Sequence, residues 1–305
     1  MSEIGERLAH LSDEERALLF EKLRRRKEQE GRSLPDGDRQ PIPRRPEALR
    51  GQPAPLSFAQ QRLWFLDRLS RGDPSYNIAV TVVIDGPLAA VALHRALQAV
   101  VDRHEPLRTT FGVAAGAPVQ IVAARLQIPL SLLDLELAGD PGHPAVLRAC
   151  YQLVELPFDL AAGPLVRVGL LRLGPEVHVL ALVIHHIVSD GWSMNLLVDD
   201  LVAFSRSLAP PPLPIQYADY AAWQVDRLRG ARLEALMTVW RRLLGDLPAA
   251  ISLPTDRPRP PVKSAAGTEI YFHLPPETDS RLHAVAREEG VTAFMLLLAV
   301  HQLLL

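Results

Sequence analysis

Cysteine is almost absent from this chain of 305 residues, in which Cys150 stands alone. A single thiol cannot form an internal disulfide, and such scarcity is typical of proteins that fold in a reducing cytosol. Cys150 follows Leu147 and Arg148 in a helical pattern. We therefore interpret it as a packing residue and not as a reactive one.

Long apolar runs and a strong excess of charge are also missing. The late run from Ala293 to Val300 is followed by His301 and Gln302 and is too short to cross a membrane. The segment from Met1 to Arg7 is charged and lacks the apolar stretch of a signal peptide. The formal net charge is −2, so nothing draws the chain to nucleic acid or to an anionic membrane. We predict a soluble, cytoplasmic protein that binds neither.

The composition is that of an ordinary globular protein. Apolar residues make up 48% of the chain and charged residues 22%, enough to bury a real core. The length exceeds the usual domain size of about 100–200 residues. Two lobes or one large domain are therefore expected.

The first 55 residues differ from the rest. Ser12 and Glu15 form the start of a helix, with Glu15 at the capping-box position, and an apolar stripe follows at Leu18, Leu19 and Leu23. Residues 1–30 are either a solvated leader helix or a segment that docks on an upstream partner. Residues 31–55 hold six prolines and three glycines, which marks a linker.

The apolar spacing predicts a first lobe over residues 56–252. Helices are predicted at 56–69, 88–103, 144–156 and 192–208, with a mostly helical stretch at 217–247. Strands are predicted at 76–84, 107–113, 118–128, 165–173 and 177–188. The last of these strands is apolar almost throughout, as expected when both faces are buried. The mixture indicates an α/β sandwich.

A second lobe is predicted to begin at residue 253, after a proline-rich connector. It would hold a strand at 268–274, a helix at 277–289 that stops at Gly290, and an apolar helix that Thr292 caps. This last helix has no stop signal before Leu305. We therefore expect the second lobe to be truncated.

The strongest chemical pattern runs from His185 to Trp192. Neighbouring side chains on a strand point to opposite faces, so His185 and His186 do not converge on a metal ion. A histidine in a cleft can remove a proton from an attacking amine or orient it. Asp190, where the strand turns, can pair with a buried arginine or cap the next helix. From these residues alone, two hydrogen-bonded core histidines beside a capping turn are slightly favoured, because short patterns arise by chance.

Four sequence blocks carry a resemblance to a known family. The run H-H-I-V-S-D-G resembles the H-H-x-x-x-D-G signature of condensation domains of nonribosomal peptide synthetases. Further blocks in the family's order lie at 57–69 (S-F-A-Q-Q-R-L-W-F-L-D-R-L), 103–111 (R-H-E-P-L-R-T-T-F) and 217–223 (Y-A-D-Y-A-A-W), and L-P-T-D-R-P at 253–258 resembles the entry to the second lobe. The resemblance covers about residues 55–305. The opening block looks like that of domains that join an L-configured donor to an L-configured acceptor.

The resemblance implies two chloramphenicol acetyltransferase-like lobes with a tunnel between them. A donor and an acceptor peptidyl carrier protein would each present a thioester on 4′-phosphopantetheine, and the acceptor amine would attack the donor carbonyl. No cofactor would be bound covalently, and neither metal nor nucleotide would take part. The adenylation domain of the same assembly line would be a further partner. Two alternatives are a stand-alone acyltransferase that uses coenzyme A thioesters and an inactive remnant that only docks carrier proteins.

The resemblance also assigns residues. His186 would be the active-site histidine, acting as a general base or as an orienting group, with His185 beside it. Gly191 would supply a tight turn, and its N–H would approach the substrate. Asp190 would be structural, held in a salt bridge. Its expected partner is an arginine of the quoted blocks, with Arg62 favoured over the alternatives Arg103 and Arg108.

Overall fold

The computed structural model describes residues 41–137, 139–247, 257–258, 261, 270 and 272–305. Two compact units are present, residues 1–229 and 230–305, and each is described by itself. The predicted leader at 1–30 lies outside the described residues. The described residues of the strand predicted at 268–274, which are 270 and 272–274, do not form a strand. The first part of the linker and most of the connector predicted from residue 253 also lie outside the described residues. The predicted lobe boundary at 253 therefore stays a prediction.

The first unit contains both helices and strands. Its helices are α1 (Phe58–Leu69), α2 (Ala90–Arg103), α3 (Pro144–Glu155), α4 (Gly191–Ser205) and α5 (Tyr217–Arg227). Its strands are β1 (Ala54–Pro55), β2 (Asn77–Asp85), β3 (Thr109–Ala114), β4 (Ala117–Val122), β5 (Leu130–Asp134), β6 (Val166–Arg172) and β7 (Val177–His185). The predicted helices and most predicted strands are confirmed to within a few residues.

The strands form two sheets. The larger has the order β2-β7-β6-β5, with β7 antiparallel to both neighbours and β5 parallel to β6. The smaller has the order β1-β4-β3 and is antiparallel. Strand β7 lies in the interior of the larger sheet and is buried at every position after Val177. Its almost wholly apolar sequence is explained by this position, because both of its faces pack against other elements.

Helices cover both faces of the larger sheet. On one face Ile184 of β7 belongs to a cluster with Leu97 of α2 and Leu197 of α4. On the other face Val179 clusters with Val146 of α3. Alternate side chains of β7 therefore contribute to two apolar layers, one on each face of the sheet. This arrangement is the predicted α/β sandwich.

The structure differs from the predicted strands in places. The strand predicted at 118–128 ends at Val122. Residues 105–108 form a 3₁₀ turn instead of the start of a strand, because Pro106 cannot donate a ladder hydrogen bond. The short edge strand β5 was not predicted. Its sequence L-S-L-L-D has no clear alternation, and Leu132 and Leu133 are largely exposed.

The second unit contains α6 (Gly230–Leu244), α7 (Pro276–Glu288) and α8 (Ala293–Leu304). The predicted helix end at Gly290 is confirmed, since this glycine has φ +65°, a common conformation just beyond a helix C-terminus. The predicted cap of α8 is also confirmed, because Thr292 Oγ1 accepts from the Met295 N–H at 3.2 Å. Within the described residues, no helix combines the length and apolarity needed to cross a bilayer. The cytoplasmic location stays a prediction.

Leu170 and Leu132 offer a matched test of the core, because they pair across β6 and β5. Leu170 is 1% exposed and Leu132 is 59% exposed. We predict that Leu170→Ala lowers the free energy of unfolding by about 3 kcal/mol, since it leaves a cavity. Leu132→Ala should change it by less than about 1 kcal/mol. Urea denaturation followed by circular dichroism measures both, and equal losses would contradict this packing.

Candidate functional site

The two adjacent histidines lie in different environments at the end of β7. His185 is 4% exposed, whereas His186 is exposed. The His186 N–H donates to the Tyr76 carbonyl oxygen at 2.8 Å, and the chain then turns through residues 186–190 into α4. We call these five residues the turn after β7. Its position is set by the register of β7 against β2, in which His185 pairs with Asn77.

His185 is a buried support of this turn. Its Nδ1 accepts from the Ile187 N–H at 3.1 Å, so the ring proton is on Nε2. The Phe158 ring meets the imidazole edge-on at 6.2 Å, and the Arg167 guanidinium lies 4.1 Å from the Phe158 centroid. Burial, and next the nearby His186, lower the pKa of His185 to about 4. At neutral pH His185 is therefore an uncharged acceptor that holds the turn.

His186 has the geometry of a proton acceptor. Its Nδ1 lies 2.8 Å from the Ser189 carbonyl oxygen, and a carbonyl only accepts. In the neutral ring Nδ1 therefore carries the proton, and Nε2 keeps its lone pair. A backbone carbonyl that selects the tautomer of a histidine is a common device at reactive histidines.

His186 opens onto a cleft of about 230 Å³. The apolar lining comes from α1, the 105–108 turn, the turn at 186–190 and α4: Ala59, Leu63, Pro106, Leu107, Ile187, Val188, Leu196 and Leu197. The polar lining is His104, His186, Ser189, Asp190, Ser193 and Tyr217. The cleft thus combines an apolar wall with a polar end that contains the imidazole.

Asp190 caps α4. Its Oδ1 accepts from the Ser193 N–H at 2.8 Å and from the Ser193 hydroxyl at 2.6 Å. These two hydrogen bonds, with a smaller contribution from His186, lower the pKa of the Asp190 carboxyl. Of the two roles that the sequence allowed, the structure has the helix cap.

The salt bridge expected for Asp190 is not formed. Arg103 pairs with Asp200 and Arg108 with Glu105, while Arg62 is exposed on α1. Over the ranges that the structure describes, neither Asp190 nor Arg62 has an ion-pair partner. The physical reason is local, since the first turn of α4 offers donors that already satisfy the carboxylate.

Gly191 is also not needed for the backbone geometry. Its φ is not positive, and a Cβ at this position would meet nothing within 4 Å. Gly191 is the first residue of α4, where most residues fit. The predicted tight-turn role is therefore not supported by the conformation, and an approach of its N–H to substrate stays a prediction.

Arg103 and His104 anchor α4 from α2. Arg103 Nε and His104 Nε2 lie 2.8 Å and 2.6 Å from the same oxygen of Asp200. Burial lowers the pKa of His104, against the opposing effect of Asp200. Arg108 takes another role, since it donates to the Ala123 carbonyl oxygen. Arg103 therefore supports the site through α4 and not through Asp190.

Sequence reasoning missed three polar residues of the cleft, His104, Ser193 and Tyr217. All three lie in or directly beside the motif blocks, and this position was the signal that could have found them. Whether each side chain faces the cleft depends on tertiary packing, which the sequence pattern does not show. Tyr217 donates to or accepts from Ser57 Oγ at 2.9 Å, and burial is the main cause that raises its pKa. This contact joins α5 to the start of α1 beside the cleft.

A family model described as the condensation domain matches residues 51–305. The chain belongs to the condensation-domain family. It is 42% identical to phosphinothricin tripeptide synthetase PhsC of Streptomyces viridochromogenes, over all of this chain and 28% of that protein. It is also 42% identical to chondramide synthase cmdD of Chondromyces crocatus, over 82% of this chain and 7% of that protein. The chain thus spans less than a third of either relative.

Solved structures agree with this membership. The X-domain in its complex with OxyB from teicoplanin biosynthesis matches with a TM-score of 0.69 and 29% identity, over 83% of this chain and 56% of that one. The first condensation domain of the calcium-dependent antibiotic synthetase, bound to a substrate analogue, matches with a TM-score of 0.67 and 26% identity, over 79% and 58%. The predicted fold, that of chloramphenicol acetyltransferase-like condensation domains, is confirmed.

The capping role of Asp190 predicts a modest loss of stability in Asp190→Ala. Removing a helix cap costs about 1 kcal/mol, less than the loss of a buried ion pair. Because the pKa of the folded carboxyl is lowered, this contribution is present above about pH 4 and is lost as the pH falls further. Thermal unfolding of both proteins at several pH values measures it. Asp199→Ala, an exposed change on the same helix, is the control and should have almost no effect.

The buried position of His185 predicts that it stays neutral in mildly acidic solution. Its imidazole should titrate at about pH 4, far below the ordinary value of about 6.5. Unfolded chains take up this proton first, so stability should fall as the pH drops from about 6.5 to about 4. Long-range ¹H–¹⁵N spectra, assigned with His185→Asn, follow the titration. A midpoint near 6.5 would contradict the described burial.

Proposed function

We propose that this chain is a condensation domain of a nonribosomal peptide synthetase and forms a peptide bond between two carrier-borne thioesters. The observation that carries this proposal is the placement of His186. Its Nδ1 is bonded to the Ser189 carbonyl oxygen, and its ring lines a cleft in a chain of this family. A free Nε2 lone pair in such a cleft suits an incoming ammonium or amine.

The reaction is an acyl transfer that balances without a further reagent. The amine nitrogen of the acceptor attacks the carbonyl carbon of the donor thioester, and a C–N bond forms as the C–S bond breaks. The amine loses a proton, and the pantetheine sulfur of the donor leaves as a thiol. The products are a peptidyl thioester on the acceptor arm and a free thiol on the donor arm.

His186 Nε2 can act at two points of this reaction. It can accept the proton of the amine, for which general-base catalysis contributes about 10²–10⁴-fold. It can also accept a hydrogen bond from the amine and hold its lone pair toward the carbonyl, which is a contribution of orientation. Both roles need the neutral tautomer that the Ser189 carbonyl selects.

The lining of the cleft suits a flexible chain in which apolar segments alternate with polar groups. Leu63, Leu107 and Leu196 give it an apolar wall, and the polar groups gather around His186. A phosphopantetheine arm carries its thioester at the end of such a chain. The wall would then exclude water from the thioester, which otherwise hydrolyses.

Partners follow from this function. A donor and an acceptor peptidyl carrier protein would present the 4′-phosphopantetheine arms, and an adenylation domain of the same cytoplasmic assembly line would load them. An upstream partner would dock through residues 1–30, and the match to PhsC over the whole of this chain supports a shared role for that segment. The opening block supports an L-configured donor and an L-configured acceptor.

His186→Ala should abolish peptide-bond formation while leaving the fold intact, because the exposed ring contributes little to the core. The assay supplies the chain with carrier proteins chemically loaded with aminoacyl thioesters and detects the dipeptidyl thioester by mass spectrometry. A fall of about 10²-fold or more is expected. His301→Ala, an exposed change in α8, is the control and should keep full activity.

Three results would contradict the proposal. Full turnover by the folded His186→Ala variant would remove the assigned role. Product from a coenzyme A thioester but not from loaded carriers would favour the stand-alone acyltransferase. Carrier binding without product from the unchanged chain would favour a docking function, for which the X-domain solved in complex with OxyB is a structural parallel.

A further inference from the structure

Gln60 connects helix α1 to the turn after β7 through a contact that the proposed reaction does not use. Its side chain is 2% exposed, and its Nε2 lies 3.4 Å from the Ile187 carbonyl oxygen. Ile187 directly follows His186. We propose that Gln60 is a positioning residue, which holds the Ile187–Val188 peptide group and through this backbone the His186 imidazole.

The orientation of the Gln60 amide is determined by its neighbours. Its Oε1 accepts from the Ser57 N–H at 3.0 Å and from Gln120 Nε2 at 3.2 Å. A backbone N–H can only donate and a carbonyl can only accept. The reversed amide would therefore set donor against donor at Ser57 and acceptor against acceptor at Ile187, which is costly in a buried site.

The amide is also held firmly from the side opposite the turn. Gln120 of β4 is 2% exposed, and its Nε2 donates to the Pro55 carbonyl oxygen at 2.8 Å as well as to Gln60. Ser57 Oγ accepts from the Gln60 N–H at 3.2 Å. A buried network whose members are bonded in this way is rigid. A series of hydrogen bonds thus leads from the smaller sheet, through Gln60, to the turn after β7.

The backbone of Ile187 is held on both sides. Its N–H, in the His186–Ile187 peptide group, donates to His185 Nδ1 at 3.1 Å. Its carbonyl oxygen, in the Ile187–Val188 peptide group, accepts from Gln60. A rotation of either group would displace the backbone between His186 and Ser189 and with it the hydrogen bond between His186 Nδ1 and the Ser189 carbonyl. The Ile187 side chain is 3% exposed in the core, so packing retains the turn even without Gln60. Loss of the amide should therefore disturb orientation more than folding.

Gln60→Leu in the full chain tests this role, with Gln61→Leu as the matched control. Gln61 lies on the same helix, and its Nε2 donates to the Leu56 carbonyl oxygen at 3.1 Å, away from the turn. The first measurement is the imidazole ¹H–¹⁵N spectrum of His186, assigned with His186→Ala. Its resonances should shift in Gln60→Leu and stay in place in Gln61→Leu, while circular dichroism shows both variants folded.

The second measurement is turnover with loaded carrier proteins. Gln60→Leu should lower kcat on the order of tenfold or more and leave KM for the carriers unchanged, because the cleft wall is untouched. The turnover measurement rests on the proposed function, whereas the spectra of His186 do not. Shifted His186 resonances in a chain whose unchanged form makes no product would overturn the proposed function and retain the positioning role.

Unchanged His186 resonances in folded Gln60→Leu, or equal shifts in both variants, would overturn the positioning role. If the Gln60→Leu variant does not fold, the positioning role can still be tested on the unchanged protein. The side-chain amide protons of Gln60 should then exchange with deuterium much more slowly than those of Gln52, whose bond to the Ala48 carbonyl is exposed. Equal exchange rates would contradict the proposed contact.

Discussion

The site depends on one constraint, which is that a strand buried on both faces must end without leaving its polar groups unsatisfied. Strand β7 passes through the middle of its sheet, and beyond His185 its backbone has no further ladder partners. The next peptide groups are bonded to the Tyr76 carbonyl, the His185 ring and the Gln60 amide. An unpaired buried group costs about 1–3 kcal/mol. The bonds that satisfy this strand end are the same bonds that hold His186.

His185 and His186 differ in burial and in hydrogen-bond partners because their surroundings differ. Burial removes the charge from His185 and leaves it an acceptor for the chain. The exposed His186 has its Nδ1 engaged by the Ser189 carbonyl oxygen, and its Nε2 is the atom to which we assign the proposed reaction. Two identical side chains, adjacent in sequence, thus acquire different hydrogen-bond partners because a strand sends successive residues to different environments.

Much of the fold could be predicted from the sequence because periodicity reports burial. The apolar run of β7 and the amphipathic helices α1 and α2 were recognisable for that reason. Strand β5 was not, because it lies at the edge of the sheet and exposes Leu132 and Leu133. The other edge strand, β2, was predicted because its positions alternate between exposed and partly buried, whereas β5 buries too little of its surface to leave a period in the sequence.

Part of the candidate site could be predicted from the sequence, but three polar residues of the cleft and the partners of the predicted residues could not. His185 and His186 follow from the motif, and the capping role of Asp190 was one of two roles that the sequence allowed. The choice between them depends on which donor is nearer in space, and Ser193 is nearer than any arginine of the motif blocks. Gln60 stands in a quoted block, but its buried bonds to Ser57 and Gln120 arise from tertiary packing, which the pattern does not encode.

Asp200 has a consequence for how the site tolerates change in chain length. One oxygen of Asp200 receives donors from both Arg103 and His104, and Asp190 caps the same helix at its start. An α-helix turns by about 100° per residue. Inserting or deleting one residue between these two aspartates would swing one of them away from its partners. The number of residues between Asp190 and Asp200 in α4 is therefore constrained by both sets of hydrogen bonds, and it matters to the site as much as the side chains do.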